Sequence, residues 1–154
     1  PIAGIDTYAQ GVQGAMTRHF GNRLPCTVVE PGRYIVGDAG VLQAEVVLIS
    51  RKSYDDQVRW IYLDVGRFNG LAETEGEAIR YPLRTPHDGG AAGPVILAGP
   101  TCDSVDTLYE NAGYRMPMAL AIGDRVQILA TGAYTTTYST VGFNGFDPLP
   151  AYYI

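Results

Sequence analysis

AEVVLISRK, residues 44–52, is the first of several strand-length apolar runs, and these runs decide the fold. The later runs, rich in β-branched and aromatic residues, are VRWIYLDVG (58–66), EAIRYPLRT (77–85), GPVILAG (93–99), DRVQILATG (124–132) and TTTYSTVGF (135–143). Stretches containing Gly, Pro, Asn and Asp separate them. Regular spacing of such runs is typical of an antiparallel sandwich or barrel. We therefore predict a mostly antiparallel β domain in residues 43–154, with NAGYRMPMALAIG (111–123) as a surface excursion.

The first forty residues have a different pattern. Asp6 can cap a helix whose apolar residues recur at helical spacing until Gly21 ends it. LPCTVV (24–29) is typical of a buried parallel strand, and YIVGDAGVLQA (34–44) favours another helix. Helix, buried strand and helix form an α/β pattern. We predict an α+β chain in which residues 1–42 are the C-terminal end of an α/β barrel.

Composition excludes several classes of protein. The 154 residues are 46% hydrophobic and 18% charged, which suffices for one good core. The net charge is −5 and the basic residues are scattered, so we expect no nucleic-acid partner. No apolar run approaches the ~20 residues of a membrane span, so we expect no membrane partner. Two cysteines allow at most one disulfide, which favours a reducing, cytoplasmic location.

EPGR (30–33) follows the predicted barrel strand and forms a candidate anion site. A strand followed by Pro-Gly and a helix start presents free backbone N–H groups. Gly32 allows close approach of the backbone, and Arg33 offers a guanidinium fork suited to phosphate oxygens. Glu30 stands at the carboxyl end of the strand, where α/β enzymes place their chemistry. The alternative is an ordinary turn with a surface ion pair.

GPTCDSVD (99–106) places a cysteine beside a carboxylate just after a predicted strand. Gly99 and Pro100 stop the apolar run, and Cys102 and Asp103 then arrive together in a loop. A thiol next to a carboxylate in a loop is a candidate functional pair. The alternative is an unreactive loop thiol.

Five motifs together resemble a known family. They are EPGRY (30–34), GRFNGL (66–71), GPTCDSVD (99–106), GAYTTTYS (132–139) and FNGF (143–146). In this order and spacing they resemble the fold-type III pyridoxal-phosphate-dependent decarboxylases of basic amino acids, above all bacterial-type ornithine and lysine decarboxylases. The resemblance covers the whole chain. It implies an N-terminal barrel, a C-terminal β domain and a homodimer with shared active sites.

The same resemblance implies that a residue is missing here. A barrel lysine near the N-terminus of the family's polypeptide holds the cofactor, whereas the only lysine of this chain is Lys52. We therefore expect the chain to be the C-terminal portion of the enzyme. Its first partner would be the N-terminal barrel portion, and the 154-residue chain alone would be inactive.

The resemblance also implies roles for individual residues. Glu30 would face the pyridine nitrogen of pyridoxal phosphate. Gly32 and Arg33 would anchor its phosphate, and the Tyr134 hydroxyl would reach the same phosphate. The alternative for Tyr134 is a buried core tyrosine.

The remaining implied roles concern the substrate. Cys102 would handle protonation at Cα, Asp103 would bind the distal ammonium, and Phe143 would lie beside the substrate chain. Related diaminopimelate decarboxylases tend to carry Glu at the position of Asp103. The implied reaction is therefore decarboxylation of L-ornithine, or of L-lysine, to putrescine or cadaverine in polyamine biosynthesis. Glu73 and Glu75 could add a second carboxylate for the distal amine.

Other interpretations remain open at this point. A non-catalytic regulatory or dimerising relative, of the antizyme-inhibitor kind, would keep the fold without the chemistry. A free-standing β-sandwich binding module would leave the first forty residues unexplained. No His, Cys, Asp or Glu spacing indicates a metal site. We expect His19 and His87 to be structural or surface residues and Cys26, in the predicted strand 24–29, to be a core residue. The C-terminal Tyr152-Tyr153-Ile154 would pack on the β domain or on a partner.

Overall fold

The computed structural model describes residues 3–154 and divides the chain into two compact units, Pro1–Pro31 and Gly32–Ile154. The predicted domain boundary between residues 42 and 43 lies near the start of the first strand at Val41. The division into compact units lies earlier, at the end of EPGR. The assignment of residues 1–42 to a barrel stays a prediction, and its first two residues lie outside the described part.

The first unit contains helix α1, Ile5–Phe20. Gly4, and not Asp6, occupies the N-cap position, while Asp6 lies in the first turn, where the helix dipole favours a negative charge. Gly21 ends the helix as predicted, with φ +57° and its N–H donating to Thr17 O. No residue of α1 is buried.

The predicted parallel strand at 24–29 does not form in this chain. The segment has no regular secondary structure, and Cys26 is exposed, so its assignment to a core was wrong. A parallel strand is stable only when neighbouring strands satisfy its backbone groups and cover both faces. Within residues 3–154, no strand pairs with this segment.

The second unit starts with a short helix and continues as a sheet. Helix α2 is Gly32–Val36, and the strands are β1 Val41–Ser50, β2 Arg59–Leu63, β3 Leu83–Arg84, β4 Ala92–Ala98, β5 Thr107–Tyr109, β6 Arg115–Pro117 and β7 Arg125–Leu129. Single 3-10 turns lie at Gly37–Ala39, Ala72–Glu77, Ser104–Asp106, Thr136–Tyr138 and Phe143–Gly145.

The seven strands form one sheet in the order β3-β7-β1-β2-β4-β5, with β6 also paired to β4. All pairs are antiparallel except β2 with β4. A register shift in β1 between Val46 and Leu48 adds twist, since an extra residue bends a strand. The mostly antiparallel β domain is thus confirmed. Its form, however, is one curled sheet and not two stacked sheets.

The core of the second unit follows the two-residue period of the strands. β1, β2, β4 and β7 each contribute alternate apolar side chains, namely Ala44, Val46, Ile61, Leu63, Val95, Leu97, Val126 and Ile128. Leu71, Tyr81, Leu108 and Met116 complete the core from the connecting segments and short strands. Four of the predicted runs overlap these four strands, and two of them, 58–66 and 124–132, contain β2 and β7 entirely.

Three segments differ from the sequence prediction. The run 77–85 pairs only at Leu83–Arg84, because Pro82 cannot donate a ladder hydrogen bond. The run 135–143 forms 3-10 turns and no strand. The predicted surface excursion 111–123 instead carries β6, whose Met116 is buried.

Two further predictions concern the ends of this unit. The predicted helix 34–44 ends at Val36, and its last residues begin β1, since Val41 pairs with Leu129 of β7. The C-terminal residues 152–154 are exposed and so do not pack on the sheet within this chain. Contact of these residues with a partner stays a prediction.

One end of the sheet collects the loops that carry the predicted site. β1 begins at this end, where Val41 faces Leu129 at the end of β7. β2 runs antiparallel to β1, and β4 runs parallel to β2, so both also end there. The loops that leave this "loop end" are 37–40, 64–71, 99–106 and 130–135. No helix of the described residues is long and apolar enough to cross a membrane.

Candidate functional site

Two glycines join α2 to the loop that follows β7. The Gly132 N–H donates to Gly37 O at 2.9 Å. A Cβ built on Gly132 would lie 1.8 Å from Val36 O, and one on Gly40 would lie 2.3 Å from Gly132 N. The backbones therefore touch where neither residue has a side chain. This "glycine joint" (Gly37, Gly40 and Gly132) fixes α2 against the loop 131–134, which we call the TGAY loop.

The joint brings together three of the predicted site residues, Gly32, Arg33 and Tyr134, which we call the cradle. The Arg33 guanidinium carbon lies 5.1 Å from the centre of the Tyr134 ring. The Tyr134 hydroxyl is 3.8 Å from the position of a Cβ on Gly32. Tyr134 has φ +56° and is half exposed, so the predicted alternative of a core tyrosine is wrong. A bulky residue with this backbone is strained, which is typical of functional sites.

Glu73 holds Arg33 from the opposite side. Arg33 Nη2 donates to Glu73 Oε2, and this hydrogen bond raises the pKa of Arg33, which keeps the guanidinium charged. Glu73 lies in the turn Ala72–Glu77. The adjacent Thr74 anchors this turn, since it is buried and its hydroxyl donates to Leu71 O at 2.7 Å. The sequence-based suggestion that Glu73 binds a substrate amine does not agree with this contact.

Tyr81 is a buried neighbour of Arg33 and Glu73. Its side chain is 2% exposed, and burial raises the pKa of its hydroxyl, which therefore stays protonated. The hydroxyl lies within electrostatic reach of Arg33 and Glu73. Sequence analysis missed Tyr81 altogether and missed the contact of Glu73 with Arg33, because these contacts span 40 or more residues and leave no local pattern.

The predicted thiol and the predicted aromatic residue also lie together. Cys102 is exposed, and Asn144 Nδ2 donates to its Sγ at 3.8 Å. Phe143, adjacent to Asn144, stacks on Phe68 with ring centres 4.1 Å apart. We call Cys102, Asp103, Phe143 and Asn144 the thiol cluster. Asn144 was not predicted, although it belongs to the quoted FNGF motif.

Asp103 has a structural contact in this arrangement. Its Oδ1 accepts a hydrogen bond from the Val105 N–H at 2.8 Å and so caps the turn Ser104–Asp106. A carboxylate has about four acceptor positions, so Oδ2 remains able to accept a second partner. The cap therefore orients the carboxylate without occupying it fully.

The thiol cluster borders an open pocket of about 360 Å³. Its walls include Lys52, Trp60, Tyr62, Thr101, Cys102 and Asp103. The Lys52 ammonium lies 4.1 Å from the centre of the Trp60 ring, a cation–π contact. A larger pocket of about 510 Å³, at the start of β7, contains none of the predicted site residues. Beside it, His87 Nε2 and Asp124 Oδ2 are 2.9 Å apart, which agrees with a structural role for His87.

Glu30 is the only predicted site residue in the first unit. Its side chain is exposed, and it stands two residues before Gly32. Among residues 3–154, no group of three or more His, Cys, Asp and Glu could hold a metal ion.

The donors of the cradle fit a phosphate group. The Arg33 guanidinium lies over the Tyr134 ring, and the Tyr134 hydroxyl lies beside the position where residue 32 has no side chain. Planar guanidinium donors bind phosphate oxygens in pairs, and a missing Cβ lets an anion approach the backbone. This donor set agrees with pyridoxal phosphate.

A curled sheet with a phosphate cradle and a thiol cluster at one end defines part of a cofactor-binding enzyme. Comparison with known proteins is more specific. The family described as pyridoxal-dependent decarboxylase, C-terminal sheet domain, matches residues 26–132. The chain therefore belongs to the pyridoxal-dependent decarboxylases and carries their C-terminal sheet domain. The cofactor of this family is the one that the cradle fits.

Individual relatives agree with this assignment. The lysine/ornithine decarboxylase of Selenomonas ruminantium is 32% identical over 96% of this chain and 36% of its own length. A diaminopimelate decarboxylase of Staphylococcus aureus is 33% identical over 69% of this chain and 24% of its own length. The solved arginine decarboxylase of Paramecium bursaria Chlorella virus, bound to agmatine, has a TM-score of 0.81 at 27% identity. The match covers 100% of this chain and 41% of the arginine decarboxylase chain. The chain spans about a third or less of the length of the two decarboxylases from Selenomonas ruminantium and Staphylococcus aureus.

Proposed function

We propose that the chain is the sheet portion of a decarboxylase that converts L-ornithine or L-lysine to putrescine or cadaverine. Its partners would be an N-terminal barrel portion and a second subunit in the cytoplasm, and its pathway would be polyamine biosynthesis. One observation carries the proposal: the cradle and the thiol cluster lie on loops at the same end of one sheet. One end of the sheet thus presents a phosphate-binding group and a proton-delivering group, and in a two-fold dimer each would enter a different one of the two active sites.

The cradle would bind and orient the cofactor. Gly32, Arg33 and Tyr134 would hold its phosphate, while Glu73 keeps Arg33 in place. Glu30 would keep a proton on the ring nitrogen. When bound, pyridoxal phosphate withdraws electrons from the substrate's α-carbon as carbon dioxide leaves.

The thiol cluster would act on the substrate. Cys102 would hold the proton that is delivered to Cα, and its hydrogen bond from Asn144 would set the direction of the thiol. The Oδ2 of Asp103 would accept the distal ammonium while Oδ1 keeps its backbone contact. Phe143, stacked on Phe68, would cover the aliphatic chain.

Asp103 also supports the choice of substrate. The distal end of diaminopimelate carries a carboxylate as well as an ammonium, whereas ornithine and lysine carry the ammonium alone. An aspartate at this position would attract the ammonium, and its side chain is one methylene shorter than the glutamate that the resemblance associates with diaminopimelate decarboxylases. The match to the lysine/ornithine decarboxylase also covers more of this chain than the match to the diaminopimelate enzyme.

Steady-state assays of the full-length enzyme test this function. We expect kcat/KM values for ornithine and lysine to lie within about 200-fold of each other, because one methylene separates them. Diaminopimelate should be about 100-fold poorer than the better of the two, because its distal carboxylate would lack a charge partner in a site that binds an ammonium alone. A preference for diaminopimelate or arginine would overturn the substrate assignment. Absence of any turnover, with cofactor bound, would favour the non-catalytic relative.

The variant Arg33→Ala should weaken cofactor binding more than it slows the saturated enzyme. A phosphate contact anchors the cofactor but takes no part in bond breaking. Loss of a charge-assisted contact of ~1.5–3 kcal/mol predicts a cofactor Kd raised about 10- to 150-fold. Titration of the apoenzyme with pyridoxal phosphate measures it.

Arg125→Ala is the matched control for this experiment. Arg125 makes a surface ion pair with Glu45 at 3.0 Å, far from the cradle in the sheet, and should leave the Kd unchanged. An Arg33→Ala enzyme with normal cofactor affinity would show that another residue binds the phosphate.

A further inference from the structure

Asp106, the last residue of the GPTCDSVD motif, is a buried carboxylate that the proposed mechanism leaves without a role. Its side chain is 1% exposed. Burying a carboxylate costs several kcal/mol unless hydrogen bonds replace its water. The donors that meet Asp106 therefore show what holds it in place.

The two oxygens of Asp106 bind two different loops. Oδ1 accepts the Arg67 N–H, at 2.7 Å, from the loop that follows β2. Oδ2 accepts the Thr101 N–H at 3.1 Å and the Thr101 hydroxyl at 2.8 Å. The Asp106 carbonyl in addition accepts the Gly99 N–H at 2.8 Å, which closes the base of the thiol loop. The carboxylate thus cross-links loops 64–71 and 99–106.

Two glycines make room for this cross-link. A Cβ on Gly66 would lie 2.2 Å from Asp106 Oδ1, and one on Gly99 would lie 2.3 Å from Oδ2. Neither position tolerates a side chain while the carboxylate stays where it is. Gly66 is the first residue of the GRFNGL motif, and Gly99 is the first residue of GPTCDSVD. Each motif therefore begins with a glycine that lies against the Asp106 carboxylate.

Each cross-linked residue is the direct neighbour of a residue near the thiol cluster. Thr101 precedes Cys102. Arg67 precedes Phe68, whose ring stacks on Phe143, the neighbour of Asn144. One carboxylate therefore fixes the thiol relative to its aromatic and amide neighbours.

We propose that Asp106 is a positioning residue that acts through Cys102, holding the thiol at the distance and angle from which it delivers its proton. The proposal rests on the proposed function. It differs from a general contribution to stability, because its effect on catalysis exists only while the Cys102 thiol is present.

A double-mutant cycle on the full-length enzyme tests this dependence. Asp106→Asn keeps the shape but turns an acceptor into a donor that faces N–H or O–H groups. We expect kcat to fall between about tenfold and 100-fold, as for a small misplacement of a reacting group, with the cofactor Kd unchanged. In a Cys102→Ala background the same change should lower kcat less than about twofold, because coupled residues are not additive. Equal effects in both backgrounds would overturn the proposal.

Asp88→Asn is a matched control. Asp88 Oδ1 accepts the Thr85 N–H at 3.1 Å and the Thr85 hydroxyl at 2.7 Å, the same local pattern away from the thiol cluster. It should leave kcat unchanged. Should Asp106→Asn not fold, Thr101→Val removes only the hydroxyl contact, and we expect a smaller fall in kcat with the same dependence on Cys102.

Amide hydrogen exchange gives a second readout that does not depend on activity. Asp106→Asn should speed exchange at Thr101 and Arg67 at least about tenfold, while Val126 in β7 keeps its protection. Uniformly faster exchange would mean general destabilisation and contradict the proposal. A wild-type enzyme without decarboxylase activity would instead refute the proposed function, and exchange at Thr101 would still decide whether Asp106 holds the loop.

Discussion

Replacing Gly132 by alanine in the full-length enzyme should lower its affinity for pyridoxal phosphate by about 100-fold or more. The new Cβ would lie 1.8 Å from Val36 O, a backbone atom that no side-chain rotation can move away. Either α2 shifts and takes Arg33 with it, or the TGAY loop shifts and takes Tyr134. In both cases the guanidinium and the phenol no longer converge on one phosphate. Cofactor titration of the purified apoenzyme measures the loss.

Gly14→Ala provides the control for adding a methyl group. Gly14 lies inside α1, a Cβ built on it meets no atom within 4 Å, and alanine is the better helix former. Its cofactor affinity should equal that of the wild type. Thermal unfolding of both apoproteins separates the local effect from global unfolding, since overpacking by itself costs ~1–3 kcal/mol. Normal affinity in Gly132→Ala would show that the glycine joint does not shape the phosphate site.

The strands that could be predicted from sequence are those whose signal is local. β1, β2, β4 and β7 carry alternating apolar residues, and this alternation also decides which side chains enter the core. Their pairing in one curled sheet was not predictable, because a sandwich and a curled sheet share the same period along each strand. The choice depends on long-range register, including the irregularity in β1.

Two wrong predictions have a common physical origin. The runs 24–29 and 135–143 are rich in β-branched residues, yet neither is a strand here. Strand preference reflects a fit to neighbouring strands and not an intrinsic backbone state. Within residues 3–154, no strand pairs with 24–29. In 135–143 the chain turns back, with the Thr140 N–H donating to Phe68 O at 2.8 Å.

The residues of the candidate site also divide into those that short sequence motifs indicate and those that only the fold brings together. Arg33 with Gly32, and Cys102 with Asp103, are neighbours in sequence and could be selected from short motifs. The resemblance to a family linked them to Tyr134 and Phe143. Glu73, Asn144 and Asp106 act through contacts that only the folded sheet creates, so no spacing in the sequence indicated them.

We expect one chain to contribute to two different active sites, its cradle to one and its thiol cluster to the other. In a two-fold homodimer, each site would then combine the cradle of one subunit with the thiol cluster of its partner. Arg33→Ala damages every cradle, and Cys102→Ala damages every thiol cluster. Either homodimer should be nearly inactive at a limiting concentration of cofactor.

Heterodimers of these two variants contain two unlike active sites. One of their sites carries both lesions, whereas the other combines an intact cradle with an intact thiol cluster. Random pairing makes half of the molecules heterodimers, so activity should recover to about a quarter of wild type. The two variants must be co-expressed with different affinity tags, so that the heterodimer is purified and its stoichiometry checked.

A second mixture, Cys102→Ala with Asp103→Ala, is the matched control. Both lesions lie in the thiol cluster, so every site of every dimer keeps one of them, and no activity should return. The decisive measurement is the decarboxylation rate of the purified Arg33→Ala/Cys102→Ala heterodimer. We predict about half of the wild-type rate per dimer, one intact site of two. Heterodimers that form, bind cofactor and remain as inactive as either parent would contradict the shared site.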